Sequence, residues 1–449
     1  MQLVFGFLFI IIQFSLFSQK EFQIISSSKG KITDVFIGKI SLCLAYDFIE
    51  KLHKNRTSED VINIYIQNNG WRSYEKDECF EKLKIDFQCT DIAYKEDYLN
   101  IKNCIFFENG PDDYFFSEFN KTVRPIDVDM ELNVFQKTVH CNKFFSKDID
   151  LEDKFFKVIS DSISKKFNGV FYNVNVNDNR TMANTFFVQD MFLASKKDNN
   201  IVLLFNKKNK ELLNSNHILD TISNLEHISK KEIPIDIHGG NILFLNSDTA
   251  FIGKDDIEGF AVEEIEKHLN LKKLFVVGTK TKIISASRPN ATVGKSYQIL
   301  YHLDLFFNVI NTNPPIILLG KFISENRLSK QEIDWNLQLD TIAQILLKDL
   351  KELKIFRTPL QHDTLYKYTF SPNNCQIEIV DDQVYAYVPY YNSTTPYYSQ
   401  YLDSVFKLVD IQYDYIYYAK DDNEKIGFDR FVIKKQASLH CLTKVLKRD

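Results

Sequence analysis

Beyond residue 17 this chain has no apolar run approaching the roughly 20 residues a helix needs to cross a bilayer, so nothing in its body reads as a membrane anchor. It has no excess of positive charge either. Lys and Arg number 55 against 60 Asp and Glu, a formal charge of −5, which gives no reason to expect nucleic acid and mildly favours cationic ligands. Zinc-type cysteine spacing is also missing. Four of the seven cysteines (Cys43, Cys79, Cys89 and Cys104) crowd together, but at separations of 36, 10 and 15 residues, which match no zinc pattern. Glycine is scarce, at 14.

What is present fits an ordinary globular protein: 44% hydrophobic and 26% charged residues, with 38 Phe and 22 Tyr. A length of 449 residues leaves room for two domains, or one large domain with an appendage. Residues 3–17 form an apolar run broken by little more than Gln13 and Ser15, followed by Lys20-Glu21. The run is short for a span and reads as the core of a signal peptide over residues 1–19; the plainer alternative is a buried N-terminal helix or strand. Export predicts a secreted or periplasmic protein with no membrane contact once the signal is removed. An odd number of cysteines in such a protein leaves one thiol unpaired. The expectation is that Cys441 is that thiol. The other six, or at least the four N-terminal ones, are then paired or inert. Five Asn-X-Ser/Thr sequons (Asn55, Asn120, Asn179, Asn290, Asn392) matter only in a eukaryotic secretory pathway.

The C-terminal two-thirds repeats a pattern of strand, strand, helix, strand, shown by the change between period 2 and period 3.6. One unit has strands at 241–246 and 250–253, a helix over 258–270 and a strand at 273–278. The next has strands at 305–310 and 315–322, a long helix over 329–353 and a strand at 355–358. A third has strands at 376–380 and 384–389, a helix near 398–408 and a strand at 413–419. An earlier unit is expected from a helix at 152–166 and strands at 169–175, 186–189 and 201–205. Units of this length that each bury one helix face close on one another like blades. Asp190, Gly239-Gly240, His302-Asp304 and Cys441 then fall at equivalent places, near the first strand of successive units, and point to one centre. Residues 20–137, with a helical run at 42–54, lack this rhythm and read as a separate N-terminal module; residues 138–449 read as the catalytic domain.

Each of these residues has an ordinary reading beside the chemical one. Cys441, in an apolar strand-like run over 438–443, would ordinarily be a buried inert thiol. His302 and Asp304, two apart and so on one face of a strand, would ordinarily be a surface pair. The apolar Leu305-Phe306-Phe307 that follows argues for burial, which makes an uncompensated Asp304 expensive. Asp190, set between Phe187-Val188-Gln189 and Met191-Phe192-Leu193, is anomalous unless paired. Gly239-Gly240 marks a tight turn or a close backbone approach to a ligand.

Taken in order, these segments resemble the guanidino-group-modifying superfamily, whose fold is the pentein, an α/β propeller of five ββαβ blades, and within it the protein-arginine deiminases. Phe187-Val188-Gln189-Asp190 is similar to the segment whose aspartate grips the substrate guanidinium. His302-Leu303-Asp304-Leu305-Phe306 is similar to the one supplying the general acid/base and a second gripping aspartate. Leu439-His440-Cys441-Leu442-Thr443 is similar to the one carrying the nucleophile, and Asp334-Trp335-Asn336 also has a counterpart. The resemblance covers residues 138–449 and implies hydrolytic deimination, with Cys441, His302, Asp190 and Asp304 catalytic and His238, Gly239, Gly240 and Asn241 beside the substrate. It implies an arginine-containing peptide or protein as partner; no cofactor is expected, with calcium as the alternative.

The chain departs from this pattern in three places. Relatives acting on free arginine or agmatine carry an acid before Gly-Gly, where this chain has His238, with Asp236 two places earlier. Several relatives have an arginine beside the gripping aspartate, where this chain has Phe186 and Phe187. Animal protein-arginine deiminases bind calcium partly through an acid three places after that aspartate, where Leu193 stands. Export and the missing acid favour peptidyl-arginine, giving citrulline, over free arginine or agmatine. A small-molecule deiminase acting on agmatine, arginine or a methylarginine, an amidinotransferase, and a non-catalytic arginine-binding protein on the same scaffold are the alternatives.

Overall fold

The computed structural model describes residues 22–38, 42–57, 60–68, 169–175, 188–206, 227–257, 261–286, 295–363, 368–417, 419–420, 425–429 and 438–449. The chain opens with β1 (Gln23–Ile24), β2 (Ile32–Ile37), α1 (Leu42–Lys54), β3 (Ile62–Asn68) and β4 (Gly169–Asn175). A single helical turn, α2 (Val188–Met191), leads into β5 (Leu193–Lys197), β6 (Asn200–Asn206) and β7 (Ile228–Ile233). A 3-10 turn at Gly239–Asn241 precedes β8 (Ile242–Phe244), β9 (Thr249–Gly253), α3 (Val262–Leu269) and β10 (Lys273–Val277). Another at Leu303–Leu305 precedes β11 (Phe307–Ile310), β12 (Ile316–Phe322), α4 (Lys330–Asp349), β13 (Lys354–Asp363) and β14 (Tyr368–Phe370). The chain ends with β15 (Gln376–Val380), β16 (Gln383–Pro389), α5 (Pro396–Val409), β17 (Ile411–Ile416), the small ribbon β18 (Ala419–Lys420) and β19 (Lys425–Ile426), the turn α6 (Leu439–Leu442) and β20 (Thr443–Arg448).

Five mixed sheets share one strand pattern, in which the first strand is antiparallel to the second and the second is parallel to the third. The pattern holds for β5-β6-β7, β8-β9-β10, β11-β12-β13 and β15-β16-β17. The fifth sheet joins the two ends of the chain: β20 lies antiparallel to β2, and β2 parallel to β3. Parallel neighbours need a crossover, which α1, α3, α4 and α5 supply in four of the five units. Local chemistry sets the element ends. Ser329 and Glu332 form a capping box on α4, Thr395 caps α5 just before Pro396, and Asp381 and Asp382 take φ values of 49° and 64° in the two-residue turn between β15 and β16.

Each sheet packs on the next through shared apolar side chains. Leu193 and Leu204 meet Ile242 and Ile252, Phe251 meets Phe307, and Leu318 meets Ile377 and Ala386. The fourth sheet meets the fifth where Phe48 of α1 sets its ring edge-on to Tyr387, centroids 5.5 Å apart. The fifth returns to the first through Phe36, Tyr65 and Leu446 against Phe192 and Leu203. The order of contacts thus runs once through all five sheets and closes.

Residues 22–68 are therefore not a separate module, because β2 and β3 are the second and third strands of the fifth sheet and β1 pairs with β5. A unit divided between the chain ends shows no rhythm along the sequence. The strand expected at 169–175 exists but lies beside β3, not in the earlier unit. The signal segment, the helix at 152–166 and Cys79, Cys89, Cys104 and Cys141 lie outside the described residues, as does the side chain of Cys43.

The fourth and fifth sheets are also joined by a fully buried ion pair. Arg56 donates from Nη1 and Nη2 to the two carboxylate oxygens of Glu378, at 2.9 and 2.6 Å, and Ile32 N donates to the same carboxylate at 2.9 Å. Removing one partner leaves the other charge buried without its counter-ion, which costs about 3–5 kcal/mol. Arg56→Ala should lower the unfolding free energy by about that much in urea titrations, and Glu378→Gln added to it should restore part of the loss. A loss under about 1 kcal/mol would place this pair among ordinary surface bridges.

Candidate active site

All five units contribute to one cluster, each from the segment just before its first strand. Four of these segments are helical or 3-10 turns, which corrects the strand expectation for 188–189, 303–304 and 439–442; the segment at Asn374 is a plain turn. A turn at each strand entrance sends side chains toward the centre from a short stretch of backbone. Phe186 and Phe187 lie outside the described residues.

The turns hold one another in register. Gln189 Nε2 donates to Gly239 O at 3.1 Å, and Gly240 N donates to Asp190 Oδ1 at 2.8 Å. Asn241 Oδ1 accepts from Leu303 N at 2.7 Å and from Gln298 Nε2 at 2.8 Å, while its Nδ2 donates to Asp256. Its amide is thus occupied by protein and positions the His302–Asp304 turn, in place of the substrate contact expected. His440 N donates to Asn374 Oδ1 at 2.9 Å, and Asn374 Nδ2 lies 3.4 Å from Cys441 Sγ.

The two glycines have different reasons. A Cβ on Gly239 would stand 1.7 Å from Gln189 O, so that residue is glycine because two turns touch there. A Cβ on Gly240 would stand 2.8 Å from His302 Nδ1 and 3.2 Å from both Asp190 Oδ1 and Asp304 Oδ2. Both carboxylates and the imidazole therefore converge on the bare face of Gly240, about the point that its absent Cβ would fill. Around it, His302 Nδ1 is 3.7 Å from Asp190 Oδ2, His440 Nδ1 is 2.8 Å from Asp304 Oδ2, and Cys441 Sγ is 3.9 Å from that same oxygen. Asp304 Oδ1 and His302 Nε2 are buried without a hydrogen-bond partner among the described residues.

Asp304 is fully buried and Cys441 nearly so. Burial first, then the charges of Asp304 and Asp190, push the Cys441 thiol well above its ordinary value, while Ser438 backbone and Asn374 pull weakly the other way. Among the described residues Cys375 and Cys441 are both free thiols. Burial raises Cys375 to about 12 and leaves it inert.

Sequence reasoning missed Asn374, Lys444 and Asp256. Asn374 was within reach, because it precedes β15 at the place equivalent to Asp190 and Cys441. Lys444 is a buried cation pointing to Gly239, its Nζ 3.4 Å from where a Cβ would be. Burial lowers its pKa to about 8 against the opposing pull of Asp190 and Asp304. Asp256 binds His238, accepting from its backbone N at 2.8 Å and facing Nδ1 at 3.2 Å. Among the described residues no group of three or more His, Cys, Asp or Glu is arranged to hold a metal ion, and no helix is long and apolar enough to cross a membrane.

No protein-family model matches the chain, and no curated protein matches it in sequence. Its structure is similar to the agmatine deiminase of C. jejuni, at 11% identity and a TM-score of 0.47 over 94% of this chain and 95% of that one. It is similar to a putative peptidyl-arginine deiminase, at 12% identity and a TM-score of 0.49 over 96% and 100%. A dimethylarginine dimethylaminohydrolase adduct is a further neighbour, at 13% identity and a TM-score of 0.31 over 67% and 90%. None reaches a TM-score of 0.5, so the chemistry of the site is read from its own residues.

Two outcomes follow from the electrostatics. Asp190→Asn keeps an acceptor for Gly240 N and removes one charge acting on the thiol, so alkylation of Cys441 followed against pH should move to lower pH; an unchanged profile would mean that burial and Asp304 set it without Asp190. Lys444 is held below its unfolded value of 10.5. Its burial penalty is therefore complete below about pH 8 and fades as pH rises toward 10.5. Lys444→Met should stabilise the protein by on the order of 2 kcal/mol at neutral pH, and the gain should vanish near the upper limit. Thermal unfolding scanned across that range measures it.

Proposed function

We propose that this protein hydrolyses a guanidino group, with peptidyl-arginine as the substrate and peptidyl-citrulline and ammonia as products. One observation carries the reading: Asp190, Asp304 and His302 converge to within 2.8–3.2 Å of a single point at Gly240, beside a thiol 3.9 Å from Asp304. A planar cation with several N–H donors matches two carboxylates of this kind, and the unpaired Asp304 Oδ1 is an acceptor awaiting a donor. The five like-patterned sheets support reading the fold as a pentein-type propeller of five ββαβ blades, its turns meeting at the axis.

The guanidinium cation offsets the two charges that hold the thiol protonated, so its arrival favours the thiolate. The thiol passes its proton to His302, and the resulting thiolate attacks the guanidinium carbon and forms a C–S bond. His302 protonates the departing nitrogen, and ammonia leaves as that C–N bond breaks. A water then gives a proton to His302 and adds to the same carbon; the C–S bond breaks, returning the thiol and leaving the ureido product. Side chains and water carry every proton and a side chain makes the covalent bond, so the reading calls on no metal or other cofactor. Export of the chain, with residues 1–19 removed as a signal peptide, belongs to the same proposal and suits a substrate met outside the cell.

A second reading has one observation in its favour. The burial that drives the thiol upward also suits a protein that binds arginine without turning it over. A colorimetric ureido assay with peptide-arginine, free arginine and agmatine separates the two. The expected result is product from peptide-arginine, lost in Cys441→Ala while the fold survives by circular dichroism. Undiminished product from Cys441→Ala would refute the mechanism; arginine binding with no product from any compound would leave the binding protein.

A further inference from the structure

The depth order of the site singles out a residue that the proton and thiol chemistry does not use. Side-chain exposure falls from 36% at His238 to 17% at Asp190, to 8% at both His302 and His440, and to none at Asp304. A guanidinium held between the acids therefore leaves its tail beside His238.

That imidazole is fixed in place. Its backbone N donates to Asp256 Oδ2 at 2.8 Å and its Nδ1 faces Asp256 Oδ1 at 3.2 Å. Its ring lies over that of His302, centroids 5.7 Å apart and planes inclined by 28°, with Tyr301 stacked on His302 at 4.3 Å. The Asp256 bond, opposed by burial and aided by the charges of Asp256, Asp190 and Asp236, raises it to about 9, so it is an imidazolium at neutral pH. With Nδ1 bonded to Asp256, the remaining donor is Nε2–H on the far side of the ring. Asp256 is itself spent on His238 and Asn241, and its side chain is only 8% exposed; Asp236, whose charge also acts on His238, has Oδ1 buried without a partner among the described residues.

We propose that His238 sets substrate class: it accepts guanidino compounds whose tail carries a carboxylate or peptide carbonyl and disfavours those whose tail ends in an ammonium. The proposal rests on the deiminase reading above. A carboxylate or carbonyl accepts from the imidazolium N–H. An ammonium meets a like charge in a partly buried setting, an effect on the order of tenfold for like charges several ångströms apart near a protein surface.

The test uses the full chain and three probes: agmatine, 5-guanidinopentanoate, which has a carboxylate in place of agmatine's ammonium on a chain of equal length, and the neutral N-acetylarginine methylamide. The expected kcat/KM for the last two exceeds that for agmatine by on the order of tenfold, with the difference residing in KM. His238→Gln should shrink the gap toward unity, and His238→Glu should reverse it. Agmatine as the best substrate of the unaltered protein, or a gap that neither variant moves, overturns the proposal while leaving deimination intact. No ureido product from any of the three would instead bring down the deiminase reading, and this inference with it.

Discussion

A carboxylate with no exposed surface stands at the centre of this protein, and the rest of the site is arranged around its charge. Asp304 has one oxygen bonded to His440 and the other without a partner among the described residues. A second carboxylate, Asp190, reaches the same point. In a low-dielectric interior two such charges favour any cation that fits between them and disfavour a neighbouring thiolate. One electrostatic fact therefore has two faces: beside burial, the two charges favour the protonated thiol, and a cation between them would offset their share of the cost of its ionisation. Under the proposed function, binding of the cation and activation of the thiol are then coupled.

Much of the site was legible in the sequence because its residues break local rules. An acid inside the apolar run around Asp190, a His-X-Asp ahead of Leu305-Phe306-Phe307, and a glycine pair in a chain with only 14 glycines are each anomalies that packing alone does not explain. The amphipathic helices α4 and α5 and the strands flanking them were legible for the opposite reason, since there every local signal agrees with the fold. What failed was the backbone type at the site itself. Turns of three or four residues are too short to show a period, so the entrances at 188–191, 303–305 and 439–442 read as extensions of the strands that follow.

The fifth unit was hidden for a different reason. Its first strand comes from the end of the chain and its second and third from near the beginning, so no window of sequence contains it. Lys444 was hidden with it: only after β20 is paired with β2, Phe36 opposite Lys444, does a lysine in the last strand become a buried cation under Gly239. Asp256 has no local mark at all, and gains its role only when the turn after β9 folds back on His238. Asn374 is the instructive case, because the equivalence of the units already named its position and only the type of residue there drew no notice.

The location of Cys441 ties the site to closure of the fold. Cys441 is followed at once by β20, whose first residue, Thr443, pairs with Ile37, bonds back to Leu439 O, and accepts from Gln376 Nε2. The distance from Sγ to Asp304 is thus set by a strand pairing between residues some 400 positions apart. Contacts of that separation pay loop-closure entropy early and are gained late in folding. Before β20 docks, the thiol has neither the burial nor the two carboxylates that perturb it, and the acids have no nucleophile beside them. The two carboxylates are carried by the first and third units and the thiol by the fifth, so the attack proposed for Cys441 requires a complete fifth sheet.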